Sequence, residues 1–125
     1  GKVSLLTDTG IITNHMKDKI KGSKIFYFEA NHDLDMLKNG PYDYNLKQRI
    51  LGDFGHISNV TSGNVLSEVV TDKCKKVYLG HLSETNNEEK LAYDEVFGIL
   101  NKENLIQYTN LEVAKRFDNS SITEV

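Results

Sequence analysis

At 125 residues the chain has room for one compact domain. With 38% hydrophobic and 26% charged residues it is neither disordered nor fibrous, and no apolar run approaches the length of a membrane span. A net charge of −3 lacks the basic excess that usually marks a nucleic-acid binder.

In chain order, Gly1-Lys2-Val3-Ser4 has no apolar leader region, so no signal peptide is expected, no membrane partner, and a cytoplasmic location. Residues 3–6 read as a short strand stopping before Asp8. Residues 13–20 read as a helix ending near Gly22, with His15 on its solvated side. The aromatic-rich run 24–29 is a second strand. A turn or two of helix follows at 34–37, closed by Asn39-Gly40-Pro41, then a helix over 45–51. Residues 58–70 place Val65, Leu66, Val69 and Val70 on one side of a helix capped by Ser58 or Asn59. The single cysteine, Cys74, permits no internal disulfide and reads as a structural or incidental thiol. It lies in the charged run 72–76, which reads as a solvated loop. Residues 76–79 form a third strand, and 87–100 form the clearest helix, with Leu91, Val96, Ile99 and Leu100 as its stripe. A fourth strand is expected over 105–109, extended or followed by 113–117, and residues 119–125 read as a frayed tail. Alternating strands and helices predict an α/β layered fold.

Asp8, His56 and His81 each stand at the end of an apolar run or the opening of a helix. Layered α/β folds gather ligands where strands end in loops, and a carboxylate with imidazoles suits zinc or manganese. Taken singly, each residue has an ordinary alternative: a turn-forming aspartate or a hydrogen-bonded histidine.

Four ordered segments carry a resemblance. Thr7-Asp8-Thr9-Gly10 after a strand, Glu29-Ala30-Asn31-His32-Asp33, Gly55-His56-Ile57-Ser58-Asn59, and Leu79-Gly80-His81-Leu82-Ser83 with Asn86-Asn87 lie in this order. Together they resemble the metallo-β-lactamase-fold phosphodiesterases of the ribonuclease Z-like branch, most of all its bacterial WalJ/YycJ-type members. The resemblance implies that residues 1–118 are the C-terminal half of an αββα sandwich, a mixed sheet with helices on one face. It implies that Asp8 bridges two divalent metal ions, zinc or manganese, that His81 binds one of them, and that His56 meets the scissile phosphate. His32 and Asp33 are candidates for the substrate site; the competing reading is a hydrogen-bonded pair capping the helix near Leu34. The implied substrate of the whole protein is nucleic acid, DNA ahead of RNA.

The family's His-x-His-x-Asp-His cluster and a further histidine ahead of the bridging aspartate are absent: the four histidines are His15, His32, His56 and His81. The chain is therefore expected to be part of a longer protein whose N-terminal half completes the fold. By itself it is expected to be inactive, to bind metal weakly or not at all, and to self-associate through its uncovered sheet face. Two further readings stand beside this one. One is a non-enzymatic interaction module. The other is an aspartic protease-like homodimer, suggested by Leu5-Leu6-Thr7-Asp8-Thr9-Gly10 and opposed by the helical segments.

Overall fold

A computed structural model describes residues 2–114. Four parallel strands lie in the order β1 (Val3–Leu6), β2 (Ile25–Glu29), β3 (Lys76–Gly80) and β4 (Glu112–Val113). Helix α1 (Asn14–Ile20) links β1 to β2. Helices α2 (Leu34–Asn39), α3 (Tyr44–Leu51) and α4 (Asn59–Val69) link β2 to β3. Helices α5 (Glu89–Lys102) and α6 (Ile106–Thr109) link β3 to β4. The α/β expectation holds; the expected mixed sheet does not, because every described pairing is parallel.

Spatial order here equals chain order, so each crossover steps the same way. Crossovers of one hand that all step the same way lie on one face of the sheet. Burial agrees. Leu6, Phe26, Phe28, Val77 and Leu79 point into a core with Val65, Leu66 and Val69 of α4 and Ala92, Val96 and Leu100 of α5. The alternate residues Val3 and Leu5 are 62% and 69% exposed. Side chains two apart share a face, so these two mark the sheet's uncovered side. The stripe of α4 is the one read from the sequence; in α5, Val96 and Leu100 are buried as expected, joined by Ala92, while Leu91 and Ile99 are only half-buried. Thr13, Asp33, Asp43 and Ser58 cap α1 to α4, each accepting a backbone N–H from three residues on.

Two segments depart from expectation. Residues 105–109 were expected to be a strand but hold the single turn α6. Asn104 and Asn110 both adopt left-handed backbone, with φ 60° and 42°, and bracket a stretch too short to run as a strand. Leu105, Ile106 and Tyr108 still pack on the core, at a spacing that does not alternate. The strand comes later, at Glu112–Val113, and the rest of the expected 113–117 extension, like the tail 119–125, lies outside the described residues. Helix α5 starts at Glu89 because Asn87 is engaged elsewhere: its amide donates to the Ala30 carbonyl at 2.9 Å. Cys74 is buried, and its thiol, pushed above its ordinary pKa by that burial, donates to the Lys76 carbonyl. No helix among the described residues is long and apolar enough to cross a membrane.

Candidate metal centre

Parallel strands put all their carboxyl ends at one edge. Asp8 follows β1, Glu29 ends β2, and His81 follows β3, one residue beyond Gly80, which is in register with Glu29. His56 comes from the loop before α4. The three residues singled out in the sequence thus converge, and Glu29 joins them. Each of the four offers one ligand atom, all within 4.8 Å of one another.

Tight local packing holds these loops. Gly10 donates its N–H to the Asp53 carbonyl, and a Cβ at position 10 would lie 1.7 Å from the Gly52 carbonyl oxygen. No other residue permits that contact, which clamps the Asp8 loop to the turn leading to His56. Gly55 is equally constrained, its Cβ position 2.2 Å from the Ile50 oxygen that accepts from the His56 N–H. Asp8 and His81 both sit at φ 56°. Left-handed backbone is uncommon for residues other than glycine and costs on the order of 1–3 kcal/mol where surrounding structure imposes it.

Glu29 is the hub. Its side chain is fully buried although it closes a strand. Its Oε1 accepts the Asp8 backbone N–H at 2.7 Å. Its Oε2 accepts from Nδ1 of His56 at 2.5 Å and Nδ1 of His81 at 2.6 Å. A carboxylate only accepts, so both imidazoles present a hydrogen on Nδ1 in this arrangement. Asp8 Oδ1 lies 3.9 Å from His56 Nδ1 and 3.7 Å from His81 Nδ1, beyond hydrogen bonding. Two ligands about 2.0–2.2 Å from one ion stand roughly 3–4 Å apart, so these separations would suit a shared cation once it displaced the Nδ1 hydrogens that here bond Glu29. The donor set, two carboxylates and two imidazoles, fits zinc or manganese. Exposure grades outward, from Glu29 through His56 (29%) and His81 (46%) to Asp8 (71%). Tyr27 stands two residues before Glu29, and its hydroxyl is raised above the ordinary pKa by burial and then by the Glu29 charge.

His32 and Asp33 are outside the group of four. Asp33 caps α2, its Oδ2 accepting the Met36 N–H at 2.9 Å, as the competing reading had it. His32 is fully buried. Burial, reinforced by the nearby His56, holds its imidazole down at about 4 against the opposing pull of Asp33. Its Nδ1 lies 3.2 Å from Asn31 Oδ1, and the Asn31 amide in turn donates to the His81 carbonyl at 2.9 Å. His32 and Asn31 therefore brace the left-handed residue that carries one imidazole of the cluster. The chain length 29–33 also ties the sheet to α4 through backbone bonds from Asn31 to Ile57 and from Asn59 to His32.

The sequence reading quoted Glu29 within its motif without giving it a role. The available signal was a carboxylate closing an apolar aromatic strand whose neighbours end in Asp8 and His81. The expectation of weak metal binding counted Asp8 and His81 as the only donors, whereas the fold gathers four.

Comparison with known proteins agrees with the motif resemblance. The chain is 44% identical over 99 residues to exodeoxyribonuclease YycJ of Bacillus anthracis. It is 43% identical over 89 residues to exodeoxyribonuclease WalJ from two strains of Streptococcus pneumoniae. No protein-family model matches, and no solved structure does. The chain is a homologue of the WalJ/YycJ-type exodeoxyribonucleases, aligned over 71–79% of its own length and 33–38% of theirs.

Proposed function

We propose that this chain is the C-terminal part of a metal-dependent exonuclease acting on DNA, built as a metallo-β-lactamase sandwich. The convergence of Asp8, Glu29, His56 and His81 within 4.8 Å carries the reading. The names of the homologues support the choice of DNA over RNA as substrate. The sheet face bearing Val3 and Leu5 then receives the N-terminal half of the fold, about 10 Å away as stacked sheets lie. That half brings the remaining histidines, and the chain without it is expected not to turn over DNA. A cytoplasmic location follows from the same reading.

Asp8, Glu29 and His81 are the residues that would hold the divalent ions, zinc or manganese. Bound ions would supply Lewis-acid polarisation of the phosphodiester and activation of a water. Glu29 fixes the ring planes of His56 and His81, as carboxylates behind metal-binding histidines do. His56 is assigned to the scissile phosphate, where an imidazole near neutral pH can donate a proton to the leaving oxygen. Asp8 and His81, both on left-handed backbone, carry the two most exposed side chains of the cluster.

The test uses the full-length protein with end-labelled single- and double-stranded DNA, adding zinc or manganese with and without chelator. Stepwise release of nucleotides that stops with chelator supports the reading. Hydrolysis indifferent to chelator overturns it. An absence of hydrolysis with every metal, in a full-length sequence lacking His-x-His-x-Asp-His, would instead leave an interaction module. The parallel sheet and its helices rule out the aspartic protease-like fold, which is almost wholly β.

A further inference from the structure

Beside the cluster, α2 and α3 enclose a groove of about 490 Å³, within the range of roughly 300–1,000 Å³ typical of ligand sites. Leu34, Leu37 and Leu51 supply its apolar wall, and Tyr44, Lys38, Lys47 and Gln48 its remaining rim. Helix α3 is amphipathic, yet none of its residues is fully buried. Tyr44 is 73% exposed and Leu51 48%. Phe54, two residues before His56, is 99% exposed. Among the described residues nothing packs on that ring, which leaves its face open to a ligand.

The charge at the groove is one-sided. No carboxylate lines it, although the chain as a whole is acidic. The nearby Asp43 is committed to capping α3, accepting the Leu46 N–H at 2.8 Å. Lys47 donates to the Lys38 carbonyl across the two helices at 2.8 Å, which fixes its ammonium at the rim. Backbone hydrogen bonds connect groove and cluster. After α3 ends at Leu51, the chain passes through Gly52 and Gly55 to His56, whose N–H donates to the Ile50 carbonyl at 2.9 Å. The Asp8 loop is pinned to Asp53 in the same turn, and α2 opens directly after His32-Asp33.

We propose that this groove, with Phe54, binds the unpaired end of a DNA strand. Tyr44 and Phe54 stack on bases, while Lys38 and Lys47 meet phosphates. Aromatic rings interleaved with cations are the chemistry of single-strand binding, because every base offers a π-face and every link a negative charge. The inference rests on the exonuclease reading for why a DNA end arrives here; it adds that the terminal nucleotides are held single-stranded.

The test is equilibrium binding of fluorescent oligo-dT to the full-length protein, read by anisotropy in the presence of chelator so that no hydrolysis intervenes. Tyr44→Ala and Phe54→Ala should each weaken binding about tenfold, the size of one base–aromatic stack, and Tyr44→Phe should restore it. Lys47→Gln should lower the slope of log affinity against log salt by about one. Binding of a blunt duplex should be indifferent to Tyr44→Ala. Unchanged oligo-dT affinity in both alanine variants overturns the proposal. So does a Tyr44→Ala protein whose sedimentation shifts while DNA affinity holds, since the groove then faces protein. Binding through the groove in a protein that never hydrolyses DNA would sink the exonuclease reading and leave this one standing.

Discussion

Two polar regions grow from the same five residues, 29–33, and they are built from opposite chemistries. In front, Glu29 joins Asp8, His56 and His81 in a group of carboxylates and imidazoles that opens to solvent. Behind, Asn59 and Asn87 exchange two amide hydrogen bonds of 2.9 Å each, and Asn87 also donates to Ala30. Asn59, Asn87 and His32 are all buried. The rear region is built around this pair of neutral amides, with the carboxyls of Glu95 and Asp33 beside them. The front region concentrates groups that titrate, strains two backbone residues, and keeps Asp8 in water. The difference places residues the sequence alone treats alike in two different settings. Asp8, His56 and His81 fall on one side; His32 and Asp33 fall on the other.

Mutation should reproduce that division, with the largest losses in front. In the full-length protein, Asp8→Ala should cut exonuclease turnover by more than about a hundredfold, because the site loses its central anionic donor. A kinetic assay at saturating metal reads this, and near-normal turnover would erase the distinction. His56→Ala should cost roughly a hundredfold, the lower end for general acid work, while metal content stays near normal. A parallel fall in metal stoichiometry would move His56 into the ligand set.

Behind the cluster, effects should appear in stability before turnover. Asn87→Ala removes both Asn87 bonds of the Asn59 amide and the Asn87 bonds of the Ala30 carbonyl and the Glu88 N–H. Each buried group so exposed costs about 1–3 kcal/mol, which denaturant midpoints will resolve, while turnover per folded molecule should change little. The smallest effect belongs to Glu95 of α5. Burial, followed by the hydrogen bond and charge of Asp33, holds its carboxyl up at about 7 against an ordinary 4.5. The folded state therefore keeps a proton that the unfolded chain has released, and the protein loses stability as pH climbs from 4.5 through 7. Glu95→Gln should flatten that decline, with a gain on the order of 1 kcal/mol at pH 8 and little effect at pH 4. An unchanged pH profile would remove Glu95 from the rear network.

Much of this layout was legible because apolar runs in water must be buried. β1, β2, β3 and the stripes of α4 and α5 follow directly from Val3–Leu6, Ile25–Glu29, Lys76–Gly80 and the spacing of Val65, Leu66, Val69, Val96 and Leu100. Strand direction was not legible: the alternation of Phe26 and Phe28 is the same in parallel and antiparallel sheets. The fate of residues 105–109 turned on the backbone of Asn104 and Asn110, which composition does not report. Asp8, His56 and His81 were recognisable from flanking motifs. Glu29 was not, because a buried carboxylate looks like a strand terminus until two other strand ends are seen to meet it.

The account's central claim is that Asp8, Glu29 and His81 hold divalent metal, with His56 beside it facing the phosphate. Elemental mass spectrometry of the purified full-length protein, beside its Asp8→Ala and Glu29→Gln variants, tests it most directly. The account predicts stoichiometric zinc or manganese in the unsubstituted protein and a marked loss in both variants, with circular dichroism unchanged. Metal content that is identical in all three proteins would contradict it.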